Sequence, residues 1–334
     1  MKFNFKDILG NEKGYKEILT SPNIELLPLL EAAYEIRKKY WGKKVNVHII
    51  NNVQNGDCSQ DCSYCVQSKE SKAEIESYSM KSEDQILEEA KIAYESGAFR
   101  YCMVFSGPKP SKSRVEKLVG IIKKIKATYN IQVCVSPGFV DYDDAIKLKK
   151  AGLNRLNHNL NTSKNHYHNI CTSHTFQDRI NTIKAAKSAN LEICSGCIIG
   201  MGETEDDIID IAKTLSTLKI ESIPINFFLP ISGLPLKTKK ALTPEYCLRV
   251  LCLFRFLNPK AEIRIAAGRE FHLRSMQAMA LFPANSLFME GYLNSNGSNT
   301  IDTLQMIKDA GFTINSDKRI EEILMNENIK EKKI

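Results

Sequence analysis

Eight short stretches rich in β-branched and aromatic residues recur along this chain, each followed by a longer run with helical periodicity. That alternation limits the fold more than any single residue does. Strands are predicted at 45–51, 99–105, 131–136, 153–159, 191–197, 223–229, 262–267 and 285–289. Strict strand–helix alternation implies parallel strands joined by right-handed crossovers. Eight such units suit a closed (β/α)8 barrel of the TIM type, an α/β fold of about 250 residues plus additions. The additions expected here are an N-terminal helical extension over 1–44, with its helix near 23–40, and a charged C-terminal tail over 316–334; the barrel takes 45–315. An open doubly wound sheet would want a glycine-rich phosphate turn after its first strand. That position holds a cysteine loop instead.

Helix boundaries are written in local chemistry. Ser82-Glu-Asp-Gln85 and Ser113-Arg-Val-Glu116 fit the capping box, in which the serine oxygen accepts a backbone N–H three residues on. Thr204-Glu-Asp-Asp207 sets carboxylates in a first turn, where the helix dipole favours them. Thr243-Pro-Glu245 puts proline at the first helical position, and Gly97 and Gly152 stand where helices end in a left-handed residue. A hydrophobic content of 43% with 25% charged residues is that of a soluble globular protein. No stretch approaches the ~20 apolar residues of a membrane span, and residues 1–7 lack the apolar core of a signal peptide. The net charge of +7 is spread over lysine-rich helices without aromatic–basic interleaving, so neither a nucleic acid nor a membrane is an expected partner. Ten cysteines in a chain without a secretory signal point to metal chemistry in the cytoplasm over a disulfide framework.

The densest cysteines are Cys58, Cys62 and Cys65, in the run Gly56-Asp-Cys-Ser-Gln-Asp-Cys-Ser-Tyr-Cys65. The spacing is C-x3-C-x2-C. A structural zinc site wants four ligands in a closed tetrahedron, and no fourth Cys or His follows at short range. Three thiolates on a four-iron cubane leave one iron free for a small molecule. With Tyr64 before the last cysteine, and in the loop after strand 1, this run resembles the signature of radical S-adenosylmethionine (SAM) enzymes. A zinc or redox-disulfide site is the competing reading of the bare motif.

Three more cysteines, Cys102, Cys134 and Cys194, lie inside the second, third and fifth predicted strands, and Arg264 lies inside the seventh. A lone strand cysteine is most often a small buried hydrophobe. These three occupy similar depths, however, and a buried guanidinium needs an anion or a metal cluster to face. At the strand ends lie Asn157-His-Asn159, the segment Gly196-Cys-Ile-Ile-Gly-Met-Gly-Glu203, and Asn226, whose amide can both donate and accept. His158 is read as structural, and Cys171, Cys247 and Cys252 as packing.

Several segments resemble the biotin synthase family: Arg100-Tyr-Cys-Met103, Asn157-His-Asn-Leu160, Ser173-His-Thr-Phe-Gln-Asp-Arg179, Gly200-Met-Gly-Glu-Thr204, Pro224-Ile-Asn226 and Ala267-Gly-Arg-Glu270. The resemblance implies sulfur insertion into dethiobiotin to give biotin. It implies that Cys58, Cys62 and Cys65 hold a 4Fe–4S cluster that binds SAM, and that Cys102, Cys134, Cys194 and Arg264 hold a sulfur-donating 2Fe–2S cluster. It implies further that Tyr64, Asn159, Asn161, Ile198 and Glu203 contact SAM, and that Asn159 and Asn226 contact dethiobiotin. A reducing protein of flavodoxin or ferredoxin type and a homodimer are its implied partners. Three positions depart from the family pattern: Asn161 stands where aspartate is frequent, Leu234 where threonine is, and Cys197 where glycine is. Cys197 raises the question of a further ligand; three residues from Cys194, it faces the opposite side of a regular strand. The rival on the same barrel is a radical SAM enzyme of maturase or mutase type, which has no use for the strand cysteines and Arg264 together.

Overall fold

The structure is a computed structural model describing residues 12–237 and 242–331. Residues 1–11 of the expected extension and 332–334 of the expected tail lie outside the described residues. After helices α1 (Glu12–Thr20) and α2 (Leu26–Trp41) come the strands β1 (Lys44–Gln54), β2 (Arg100–Phe105), β3 (Gln132–Ser136), β4 (Arg155–Asn157), β5 (Glu192–Cys194), β6 (Cys197–Ile199), β7 (Ser222–Phe227), β8 (Glu262–Ile265) and β9 (Ser286–Met289). Between them run α3 (Glu83–Glu95), α4 (Lys112–Thr128), α5 (Tyr142–Lys150), α6 (Phe176–Ser188), α7 (Glu205–Thr217), α8 (Pro244–Leu257) and the short α9 (Arg269–Leu273), with α10 (Thr300–Asp309) after β9. Neighbouring strands pair in parallel in chain order, and β9 returns to pair with β1 at Asn46↔Ser286 through Ile49↔Met289. The sheet is therefore a closed barrel.

The fifth predicted strand is split into β5 and β6. Pro224 in the facing β7 has no N–H to give to the ladder, which passes from Cys194↔Ser222 to Cys197↔Ile225. A Cβ on Gly196 at the break would sit 1.8 Å from the Pro224 carbonyl oxygen, so only glycine fits there. The caps at Ser82, Thr204 and Thr243 form where expected, and Gly97 and Gly152 have φ of 75° and 99°. The second helix start is corrected by two residues. Ser111, extended, accepts from Arg114 N and caps α4, while Ser113 sits inside the first turn.

The stretch after 316 was expected as a charged tail. It holds a helix, α11 (Ile320–Glu331), whose Ile320, Ile323 and Leu324 are buried on one face. A two-residue strand, β10 (Thr313–Ile314), extends the sheet beside the start of β1. Outward strand residues and the inner helix faces form one continuous core, with Cys247 and Cys252 buried in it on α8. The N-terminal end is bolted by buried guanidiniums: Arg37 donates to the carbonyls of Ala284 (3.1 Å) and Lys44 (2.9 Å), and Arg255 to those of Pro283 (2.8 Å) and Ala261 (2.8 Å). No helix among the described residues is long and apolar enough to cross a membrane.

Candidate functional site

The first cysteine group is made by backbone. Past β1 the chain turns through Gly56 (φ 79°) and Asp57 (φ 50°), and a Cβ on Gly56 would lie 2.0 Å from Ser77 Oγ. Gly56 N–H donates to Gln67 Oε1 (3.0 Å), Cys58 N–H to Gln67 O (3.2 Å), Cys65 N–H to Cys62 O (3.1 Å) and Ser63 N–H to Ile170 O (2.9 Å). These bonds hold three unpaired thiols on one loop at the barrel's C-terminal mouth. Cys65 faces inward, and burial pushes its thiol up. Cys62 points instead at Cys171, with the sulfurs 3.7 Å apart, and Cys171 Sγ lies 3.3 Å from His174 Nδ1. Cys171, expected as packing, is thus part of the mouth. Its sequence signal was the C-x2-H spacing to His174.

The second group is made by strand register. Cys102 on β2 lies directly opposite Cys134 on β3, and Cys194 ends β5. All three thiols are buried inside the barrel and cluster with Ala266 and Phe288. Arg264, 2% exposed, donates through Nη1 to Cys194 Sγ (3.4 Å), through Nε to Ser286 Oγ (3.1 Å) and through Nη2 to Ser222 Oγ (2.7 Å). The hydrogen bond with Cys134, helped by the charges of Arg264 and Arg100, outweighs burial and draws the Cys102 thiol below its ordinary range.

Under this group lies a charge layer that sequence reading missed. Glu262 takes Arg264 on one carboxylate oxygen, together with His48 Nε2 at 3.1 Å, and Arg155 Nη1 (3.1 Å) on the other. Burial alone would raise the Glu262 carboxyl; Arg155, Arg264 and His48 together hold it well below the usual carboxylate range. Burial, then the Arg264 charge, pushes His48 far below its ordinary value, so it stays neutral. The guanidinium of Arg100 is buried at the same level, and its Nε and Nη1 have no hydrogen-bond partner among the described residues. Charged residues in strands that should be apolar were the available signal.

Cys65 of the first group and the whole of the second open on one cavity of about 330 Å³, lined by Tyr64, Cys65, Cys102, Cys134, Cys194 and Arg264 among others. The expected polar residues Asn159, Asn161 and Asn226, with Ile198, line it too. Asn159 Oδ1 accepts from Gly196 N (3.0 Å), and Asn161 Nδ2 donates to Tyr64 O–H (2.6 Å). Asn226 spans Cys197 O (3.1 Å) and Ala267 N (3.2 Å), which leaves one N–H and one lone pair for a ligand. Glu203 does not line the cavity: its carboxylate accepts from Gly200 N (2.6 Å) and Met201 N (2.7 Å) and fixes that turn. Cys197 faces the apolar core, opposite to Cys194 and Ile198, despite the strand break. Unpaired thiols in two groups of three, one beside an arginine, are a donor set suited to iron–sulfur clusters.

A sequence profile of the Radical SAM superfamily matches residues 54–215, and one of the Biotin and Thiamin Synthesis associated domain matches residues 224–313. A biotin synthase of Magnetococcus marinus is 53% identical over 305 residues, spanning 91% of this chain and 94% of its own. One from Acaryochloris marina is 57% identical over 297 residues, 89% of this chain and 86% of its own. Among solved structures, methylornithine synthase superposes with a TM-score of 0.79 at 20% identity, covering 95% of this chain and 98% of its own. The FeFe-hydrogenase maturase HydG from Carboxydothermus hydrogenoformans gives 0.79 at 17%, covering 95% and 80%. At such identities these two establish the barrel alone, whereas the sequence matches run the length of the chain at about half its residues. The chain belongs to the biotin synthase family of the radical SAM superfamily.

Proposed function

We propose that this protein converts dethiobiotin to biotin, using SAM and two iron–sulfur clusters held at opposite ends of one cavity. The carrying observation is that Cys65 of the three-thiol loop and a buried set of three thiols and a guanidinium line the same cavity. When bound, the clusters supply what no side chain can: an electron that splits SAM into methionine and a hydrogen-abstracting adenosyl radical, and a sulfide for the product.

In this reading Cys58, Cys62 and Cys65 hold a 4Fe–4S cluster, with Cys62 turning away from Cys171 to do so. Tyr64, Asn159, Asn161 and Ile198 line the space for SAM, and Glu203 shapes its wall from behind. Cys102, Cys134, Cys194 and Arg264 hold a 2Fe–2S cluster deeper in the barrel. Glu262, Ser222 and Ser286 fix the Arg264 guanidinium, so its Nη1 is offered at a set place beside Cys194. Asn159 and Asn226 face dethiobiotin, whose ureido group matches the remaining donor and acceptor of Asn226. Closed barrel walls exclude water from a radical's path. A flavodoxin- or ferredoxin-type protein would reduce the mouth cluster, and a cytoplasmic homodimer is the proposed state.

The test is anaerobic reconstitution followed by iron and acid-labile sulfide analysis and a biotin assay with dethiobiotin, SAM and a reductant. Iron for both clusters, with biotin formed, supports the proposal. Iron for a four-iron cluster alone, with SAM cleaved and no biotin, refutes it.

A further inference from the structure

The interior of a (β/α)8 barrel is ordinarily filled by layers of branched apolar side chains. The layer beneath Cys102, Cys134 and Cys194 instead holds His48, Arg100, Arg155, Glu262 and Arg264, each 5% exposed or less. A buried ion pair stabilises a fold no better than apolar packing of similar volume, so holding the barrel together does not explain these charges. Their connections run toward the inner thiols.

Glu262 and Arg264 stand two residues apart on β8, so both side chains enter the barrel from one strand face. One Glu262 oxygen takes Arg264 Nη2, His48 Nε2 (3.1 Å) and the Ser222 hydroxyl (3.1 Å). The other takes Arg155 Nη1 (3.1 Å) and Asn46 Nδ2 (3.0 Å). Through its second terminal nitrogen, Nη1, Arg264 reaches Cys194 Sγ at 3.4 Å. The guanidinium thus links carboxylate to thiol, and Arg155 stands behind the carboxylate. The further partner of Arg155, Glu192 (2.9 Å), is half exposed and screened by water, whereas Glu262 is not. In so dry a layer each unit charge acts strongly on any charge added at the thiols.

We propose that the buried Glu262–Arg155 pair, acting from behind Arg264, sets the reduction potential of the inner cluster site. The carboxylate lowers that potential, because its charge repels an added electron. The Arg155 guanidinium raises it, because its charge attracts one. This inference rests on the reading that Cys102, Cys134, Cys194 and Arg264 hold a 2Fe–2S cluster, and adds to it two positioning residues that touch neither cluster nor substrate.

Spectroelectrochemical titration of the anaerobically reconstituted full chain tests this, with the mouth cluster as an internal reference. Glu262→Gln should shift the inner potential upward and Arg155→Gln should shift it downward, while the mouth potential moves less in both. Glu262→Gln/Arg155→Gln restores the net charge and should bring the inner potential back toward that of the unsubstituted protein. Arg155→Lys, which keeps the charge, should do the same. Loosened packing alone gives neither opposite signs nor a return in the double variant. Arg155→Gln leaves Glu262 paired with Arg264, so its downward shift decides the matter where Glu262→Gln does not fold. Shifts of one sign in both single variants, or an unchanged inner potential in Arg155→Gln, overturn this inference and leave the cluster reading intact. An unsubstituted protein that assembles the mouth cluster and no inner one refutes the cluster reading, and this inference with it.

Discussion

The mouth and the floor of the cavity each present three cysteines, yet they are built on different principles. The mouth thiols ride on a loop whose shape is set by backbone bonds, and one of them, Cys62, already faces an alternative neighbour. The floor thiols come from three separate strands, and their positions follow from register. Behind them Arg264 is clamped by Ser222, Ser286 and Glu262, and Glu262 in turn by Arg155 and His48. The mouth thus rests on loop backbone with a second thiol beside Cys62, and the floor on strand register and a clamped guanidinium. That contrast suits a reusable small-molecule site above and a fixed donor site below.

The largest expected effect separates the two by chemistry. Cys58→Ala, Cys62→Ala or Cys65→Ala should abolish 5′-deoxyadenosine formation, measured chromatographically after reduction with SAM. Cys194→Ala should retain it and lose biotin. Retained SAM cleavage in any mouth variant would break the comparison.

Next in size is the cost of disturbing the floor. Glu262→Gln leaves the buried Arg155 and Arg264 without their shared counter-ion, and breaking a buried pair costs about 3–5 kcal/mol. Denaturant unfolding of cluster-free protein checks this, and a change below 1 kcal/mol would remove the clamp from the account. The same layer sets an acid dependence. Glu262 is held below its ordinary value of 4.5, so its contribution is full above that value and lost as pH falls through its folded pKa. His48 is held below 6.5, so stability also declines as pH drops under 6.5, where the unfolded chain takes up the proton that the folded one refuses. Urea midpoints should therefore fall from pH 7 to pH 5, and His48→Gln should flatten that slope. An unchanged slope in His48→Gln contradicts it.

A smaller effect sharpens the space between the two groups. Asn226→Ala removes the groups left over for a ureido ligand, and dethiobiotin binding in the presence of SAM should weaken by about 1–3 kcal/mol by calorimetry. Because Asn226 also bridges Cys197 O and Ala267 N, a thermal melt must accompany that reading. The smallest effect is at Cys197, which packs in the core away from the floor thiols. Cys197→Ala should leave iron content and visible spectrum unchanged; loss of iron would make it a ligand.

Much of this was legible in the chain. The eight strands, the caps at Ser82, Thr204 and Thr243, and the similar depths of Cys102, Cys134 and Cys194 in their strands follow from periodicity and turn chemistry, while the common inward face of these thiols and Arg264 is seen only in the structure. What escaped reading depended on contacts across the fold. Pro224 and Gly196 look unremarkable singly, and only their juxtaposition splits the fifth strand. Ser111 and Ser113 both offer a cap, and the approach of the chain selects the first. The helix α11 hides three apolar residues in a charged stretch. Cys171 needs Cys62, from 109 residues earlier, to become more than a packed thiol. His48, Arg155 and Glu262 sit on different strands, so their charges balance only once the barrel closes.

The most direct test of a reusable mouth above a consumed floor is Mössbauer spectroscopy of 57Fe-reconstituted protein, before and after a single turnover with dethiobiotin, SAM and reductant. The account predicts both 4Fe–4S and 2Fe–2S signals beforehand, with loss of the 2Fe–2S signal in step with biotin formed while the 4Fe–4S signal persists. A 2Fe–2S signal that survives unchanged as biotin accumulates, or that is absent from fully active protein, would contradict it.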